Sequence, residues 1–173
     1  MKKKELLDVY NRIQPYIHNT PVLSSTLINE LIGTSVFFKC ENFQRAGAYK
    51  IRGATNAMLQ LTEAQRANGV VTHSSGNFAQ AVALAAKSLG ITAHIVMPTS
   101  APEIKKIGVK EYDGLIYECE PTLEARQAMA DDIKRSKGAI FLHPSNDKDV
   151  ILGQGTAALE LLRAQPNLDF IFC

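Results

Sequence analysis

Lys50 stands where a lysine can do more than carry charge. It follows a turn of small residues, Ala46-Gly47-Ala48, and an aromatic, Tyr49, so an aromatic ring can lie beside its amine with backbone packed close. Burial disfavours an ammonium, and a neutral amine condenses with an aldehyde to give a Schiff base. A second stretch, Val71-Thr-His-Ser-Ser-Gly-Asn-Phe-Ala-Gln80, reads as the end of a strand, a small polar turn and the start of a helix. In open α/β sheets ligands bind outside the carboxyl ends of strands, at turns of this kind. Ser74 and Ser75 have two readings, as caps of the next helix or as donors to an anion together with the N–H groups of the helix start. Asn77 fits either turn chemistry or a ligand contact. Arg52 reads as an ion-pair partner within the structure. His18, His73, His94 and His143 share no metal-ligand spacing, so structural roles are expected for them and no metal site is read.

The elements that must position these groups follow from periodicity and punctuation. Leu6, Val9, Tyr10 and Ile13 recur at helical spacing from Lys4, and Pro15 ends that helix. Ser24 or Ser25 caps a helix over 26–31, stopped by Gly33. Residues 35–40 read as a strand covered on both faces, because Val36-Phe37-Phe38 is a continuous apolar run. Helix 51–61 follows Lys50, and Thr62 with Gln65 makes a capping box for another that Gly69 closes. From Val70 onward strands and helices alternate: strand 70–73, helix 77–89, strand 92–97, a helix opened by a Ser100/Glu103 capping box, strand 115–117, a helix from Thr122 to about Ser136, and strand 139–142. Repeated β-α units of this length imply a parallel sheet with right-handed crossovers. Residues 155–162 read as helix and 169–173 as a strand, whose Phe170, Ile171 and Phe172 would form an exposed apolar edge open to association.

Composition excludes several classes. The chain has 173 residues, 46% of them hydrophobic, enough for one real core. A net charge of +2 gives no electrostatic case for nucleic acid or a membrane surface. Lys2, Lys3 and Lys4 are followed by no apolar run of a secretory signal, and no apolar stretch could span a bilayer. Cys40, Cys119 and Cys173 are widely spaced and form no Cys-x-x-Cys pair, the pattern of a reduced, cytoplasmic protein.

Gly47-Ala48-Tyr49-Lys50-Ile51-Arg52-Gly53-Ala54 and Ser74-Ser75-Gly76-Asn77 together resemble the fold-type II pyridoxal-phosphate enzymes, specifically the serine/threonine dehydratase and serine racemase family. Glu120-Pro121, His143-Pro144 and Gly153-Gln154-Gly155-Thr156 match in family order, so the resemblance runs from about Thr20 to Cys173. It implies a tryptophan-synthase-beta-like α/β fold of open parallel sheets flanked by helices. Two domains are implied: a large cofactor domain (1–71 and 144–173), left incomplete, and a small one (72–143).

The implied cofactor is pyridoxal 5'-phosphate. Lys50 would hold it and act as the base at the substrate Cα. Tyr49 would pack on its ring, and Asn77 would donate to the ring hydroxyl. Ser74, Ser75, Gly76 and Asn77 would bind the substrate, and Ser75 resembles the opposite-face acid/base of the racemases. The implied substrate is a small amino acid, serine, threonine or 3-hydroxyaspartate, and homodimers are usual in that family. Phe78 replaces a common histidine and Tyr49 a more usual phenylalanine, which leaves the substrate preference open.

The family's glycine-rich phosphate loop and pyridine-nitrogen partner, which follow the last strand, have no counterpart here. The sequence therefore reads as the N-terminal half of such an enzyme, with a catalytically inactive binding or interaction fragment as the alternative. Gly153-Gln-Gly155-Thr-Ala-Ala158 also fits a dinucleotide fingerprint, with residues 149–152 as its leading strand, but Asp169 stands at the wrong end of the next strand for the ribose-binding acid.

Overall fold

A computed structural model describes residues 2–172. In chain order the elements are α1 (Lys3–Ile13), a 3₁₀ turn (Gln14–Tyr16), β1 (Val22–Leu23), α2 (Thr26–Ile32), β2 (Phe38–Lys39), two further 3₁₀ turns (Glu41–Phe43, Arg45–Gly47), α3 (Lys50–Leu59) and α4 (Glu63–Ala67). There follow β3 (Val70–His73), α5 (Asn77–Leu89), β4 (Ala93–Pro98), α6 (Glu103–Glu111), β5 (Leu115–Cys119), α7 (Leu123–Lys137), β6 (Ile140–Phe141) and α8 (Lys148–Ala164).

Strands β3 to β6 form one parallel sheet in the order β5-β4-β3-β6, as the alternating pattern implies. Side chains alternate across it. Val70, Ile95 and Met97 face a core shared with Ile51, Ala54 and Met58 of α3 and with Phe78 and Val82 of α5. Val71, Val96 and Cys119 face the other way, onto Ala130 and Ile133 of α7. Covering on both faces leaves the central strands β3 and β4 buried along their whole length, while the edge strand β5 keeps Leu115 exposed. Helix α5 buries Ala79, Ala81, Ala83, Ala85 and Ala86, small side chains that let it sit between the sheet and its neighbouring helices.

The punctuation holds at most element ends. Ser25 Oγ accepts from the Ile28 N–H, Thr62 and Gln65 complete the capping box, and Thr122 Oγ1 accepts from the Ala125 N–H. Gly33, Gly90 and Gly138 end their helices in the left-handed conformation.

Four expectations are corrected. The strand over 35–40 shrinks to Phe38–Lys39, paired antiparallel with Val22–Leu23, and Phe38 is 42% exposed rather than covered. A strand exists only where a ladder partner exists, and 34–37 instead line an open groove of about 760 Å³ facing 167–172. Residues 169–172 form no strand for the same reason, while Cys173 lies outside the described residues. Ser100 caps nothing. Helix α6 starts at Glu103 after an extended Pro102, and the Ala101 N–H turns back to the Pro98 carbonyl, which takes Ser100 out of capping position. Finally, α8 begins at Lys148 rather than 155, with Asp147 Oδ1 accepting from the Asp149 and Val150 N–H groups. Residues 149–152 are therefore helical, and the Gly153–Ala158 pattern sits inside a helix, where no dinucleotide turn can form. Among the described residues no helix is long and apolar enough to cross a membrane.

Candidate active site

The approach to Lys50 is a strained and well-pinned turn. Ala46 (φ 57°) and Gly47 (φ 66°) both lie in the left-handed region, a conformation that costs an alanine roughly 1 kcal/mol. Gln44 holds the turn against the segment after α1. Its Nε2 donates to the His18 carbonyl (2.7 Å) and its Oε1 accepts from the His18 N–H (2.8 Å). Arg45 Nη1 donates to the Tyr16 carbonyl at 2.9 Å. The chain then enters α3 at Lys50.

Lys50 is half-buried. Its Nζ donates to the Pro144 carbonyl and to Gln154 Oε1, both at 3.4 Å, and lies 5.0 Å from the Tyr49 ring centroid. Tyr49 is 41% exposed, so a ring face is available beside the amine. No carboxylate pairs with Lys50 among the described residues. Pro144 follows β6, and Ser74 follows β3, the neighbouring strand in the sheet. Thr72 Oγ1 ties the two strand ends together by donating to the Leu142 carbonyl at 2.8 Å. Lys50 and the 74–77 turn therefore both belong to the carboxyl end of this sheet, where α/β folds bind ligands.

The serine turn does not spend itself on capping. Gly76 is the N-cap of α5 and no side chain caps that helix, so the cap reading of Ser74 and Ser75 falls. Ser74 Oγ accepts from the Gly76 N–H at 3.3 Å, and a Cβ added at Gly76 would meet nothing within 4 Å. The uncapped start of a 13-residue helix, with open space at Gly76, suits an anion. Asn77 Oδ1 accepts from Lys105 Nζ at 2.9 Å, which orients its amide N–H2 away as a donor.

Beneath Lys50 lies a buried ion network. Arg52, 0% exposed, donates from Nε and Nη2 to Glu41 Oε2 and Oε1, and from Nη1 and Nη2 to Glu160 Oε1 and Oε2, all at 2.8 Å. Lys39 Nζ pairs with Glu160 at 2.6 Å. Burial works against the Arg52 charge, but the bonds from Glu160 and Glu41 leave its pKa raised. Arg52 is thus the ion-pair partner its sequence context implied, and it locks the start of α3 to α8. Glu160 was not singled out in the sequence. The available signal was an acid on the stripe Val150, Gly153, Thr156 of an otherwise apolar helix face, a position that needs a buried cation. Gln154, Pro144 and Lys105 were also missed as contacts. An amide or a carbonyl gives no sequence signal of what it will touch.

The histidines make structural contacts. His73 Nε2 meets Gln127 Oε1 at 3.2 Å, His94 Nδ1 meets the Tyr117 hydroxyl at 3.0 Å, and His143 Nδ1 accepts from the N–H groups of Ser145 and Asn146. The described residues hold no cluster of three or more His, Cys, Asp or Glu able to bind a metal. Burial holds both His73 and His94 below the ordinary imidazole pKa. Each binds a proton less readily folded than unfolded, so stability is full above the unfolded value of about 6.5 and is lost as pH falls below it. The urea midpoint is expected to drop between pH 7.5 and pH 5, and to drop less in His94→Gln.

A half-buried lysine beside an exposed aromatic face, at the carboxyl end of a parallel sheet with an uncapped helix start nearby, is a candidate ligand site of the α/β class, and its chemistry suits a carbonyl compound. Comparison with known proteins agrees with that class. The model of the family described as "Pyridoxal-phosphate dependent enzyme" matches residues 13–173, and the chain belongs to this family. It is 52% identical over 160 residues to a serine racemase of Oryza sativa subsp. indica, covering 92% of this chain and 47% of that protein. It is 47% identical over 168 residues to a beta-hydroxyaspartate dehydratase of Paracoccus denitrificans (strain Pd 1222), covering 97% of this chain and 53% of that one. The solved structure of maize serine racemase superposes with a TM-score of 0.94 at 49% identity, over 96% of this chain and 50% of that chain. The chain spans about half the length of the curated relatives it matches. The tryptophan-synthase-beta-like fold is thereby shown, as is kinship with pyridoxal-phosphate enzymes that process small amino acids.

Proposed function

We propose that this chain carries the lysine-bearing half of a pyridoxal-phosphate enzyme that removes the Cα proton of a small hydroxy amino acid, serine first, to racemise it or eliminate its β-hydroxyl. The observation that carries this reading is Lys50: an amine held by two neutral acceptors, with no carboxylate on it, at the carboxyl end of the sheet. The residues present fit the cofactor. Lys50 offers the amine, Tyr49 a ring face, and Asn77 an amide N–H2 left over from its bond to Lys105. Bound there, pyridoxal phosphate supplies the electron sink that makes the Cα proton acidic.

The chain's own groups do the rest. Ser74, Ser75 and Gly76, with the uncapped N–H groups of α5, bind and orient the substrate carboxylate. Lys50 Nζ takes the Cα proton on one face. Ser75 Oγ exchanges a proton on the opposite face. Departure of the β-hydroxyl as water leads on to a 2-oxo acid and ammonia. Threonine and 3-hydroxyaspartate carry the same β-hydroxyl, and the relative named for hydroxyaspartate supports the latter. We assign residues 1–71 and 144–173 to the cofactor domain and 72–143 to a smaller one, with a homodimer as the assembly.

The test is turnover of L-serine in the presence of pyridoxal phosphate, following D-serine and pyruvate together. Lys50→Ala is expected to abolish both products. Ser75→Ala is expected to cut D-serine formation by about 10²-fold or more while pyruvate remains measurable, because only reprotonation on the second face needs that hydroxyl. Equal loss of both products in Ser75→Ala would remove the two-face assignment. A second reading, a module that associates with another polypeptide, is favoured by one observation: Phe170 and Phe172 are 78% and 93% exposed beside the groove that Phe38 lines.

A further inference from the structure

Gln154 is placed oddly for a residue kept only for packing. Its side chain projects from α8 toward the start of α3, where its Cγ lies 3.0 Å from the point a Cβ on Gly53 would occupy. Its Oε1 is one of the two acceptors of Lys50 Nζ. A lysine N–H can meet only an acceptor, so the amide is oriented with oxygen toward Lys50 and N–H2 away from it. That Nε2 is buried and has no hydrogen-bond partner, and it is the one such side-chain atom among the described residues. Leaving a buried amide donor unpaired costs about 1–3 kcal/mol, and a methionine of similar length would fill the space without that penalty. The oxygen is therefore the end of this amide that makes a polar contact.

We propose that Gln154 is a positioning residue for Lys50: its Oε1, with the Pro144 carbonyl, aims the amine at the carboxyl end of the sheet. The inference rests on the reading of Lys50 as the reactive amine and concerns the chain before any cofactor binds. Tyr49 stands on the same segment as the amine, and His143 precedes Pro144 on its loop. The His143 Nδ1 is spent on the Ser145 and Asn146 N–H groups. Farther along α8, Glu160 is held by Arg52 and Lys39. None of these changes in the variants below.

The test is competitive acetylation by acetic anhydride across a pH series, with peptide mapping of each lysine, on the chain without cofactor. Acetylation reads the free amine. Gln154→Glu places a carboxylate where the amide oxygen was, and the pH of half-acetylation of Lys50 is expected to rise by about one unit. Gln154→Met removes the acceptor and is expected to lower it, with every other lysine unchanged in both variants. A purely structural role would change the urea midpoint without moving the Lys50 profile relative to its neighbours. Superimposable Lys50 profiles in the wild type and either folded variant would overturn the proposal. The probe is not pyridoxal phosphate, so this result and the cofactor reading fail independently.

Discussion

Arg52→Ala is expected to cost about 3–5 kcal/mol, because it strands the buried Glu160 carboxylate and the part-buried Glu41 carboxylate rather than deleting a surface charge. Glu41 and Glu160 each give Arg52 both oxygens, and after the substitution only Lys39 is left beside Glu160. Set against a total stability of about 5–15 kcal/mol for a domain, this loss brings the chain close to unfolding at ambient temperature. Urea unfolding followed by circular dichroism measures it. Arg52→Lys keeps the charge and loses the planar fork, so its midpoint is expected between those of the wild type and Arg52→Ala. A midpoint for Arg52→Ala within a few tenths of a kcal/mol of wild type would mean that the network contributes nothing net.

Gly153→Ala is expected to separate α3 from α8. A Cβ there would stand 2.4 Å from the Arg52 carbonyl oxygen and 2.7 Å from the Gly53 Cα, both backbone atoms that cannot swing aside. The reciprocal position is equally tight, with a Cβ on Gly53 falling 2.6 Å from the Val150 carbonyl oxygen. Two glycines facing each other thus set how closely the helices cross. Overpacking of this kind costs about 1–3 kcal/mol, and valine at 153 is expected to cost more than alanine. The consequence reaches the site, since Gln154 is the next residue and holds Lys50. The urea midpoint gives the stability loss, and the pH profile of Lys50 acetylation shows whether the amine has lost its acceptor. An unchanged midpoint in Gly153→Ala would contradict the close crossing.

These two positions also show what could be read from the sequence and what could not. The 74–77 turn stood out because small polar residues fell at a strand-turn-helix boundary, which the structure puts at the end of β3, and Lys50 stood out because it follows small residues and Tyr49, which the structure puts at the start of α3. The parallel sheet was legible because strand and helix patterns alternate at the length of β-α units from Val70 onward, which leaves few other ways to connect the strands. Gly153 and Gly155 could be read as a nucleotide turn, since a glycine that admits another helix has the same letter as one that bends a loop. Only the start of α8, set by Asp147 eight residues before the range read as helix, separates the two. The strands at 35–40 and 169–173 failed for another reason. Apolar composition signals a need for burial but does not name the partner that supplies the ladder.

The measurement closest to the central claim is reductive labelling of the purified chain with pyridoxal phosphate and borohydride, followed by peptide mapping. The account predicts a label concentrated on Lys50, the lysine aimed at the carboxyl end of the sheet by Gln154 and Pro144, and abolished in Lys50→Ala without change elsewhere. Label spread evenly over the exposed lysines, with Lys50 no more modified than Lys4 or Lys134, would contradict it.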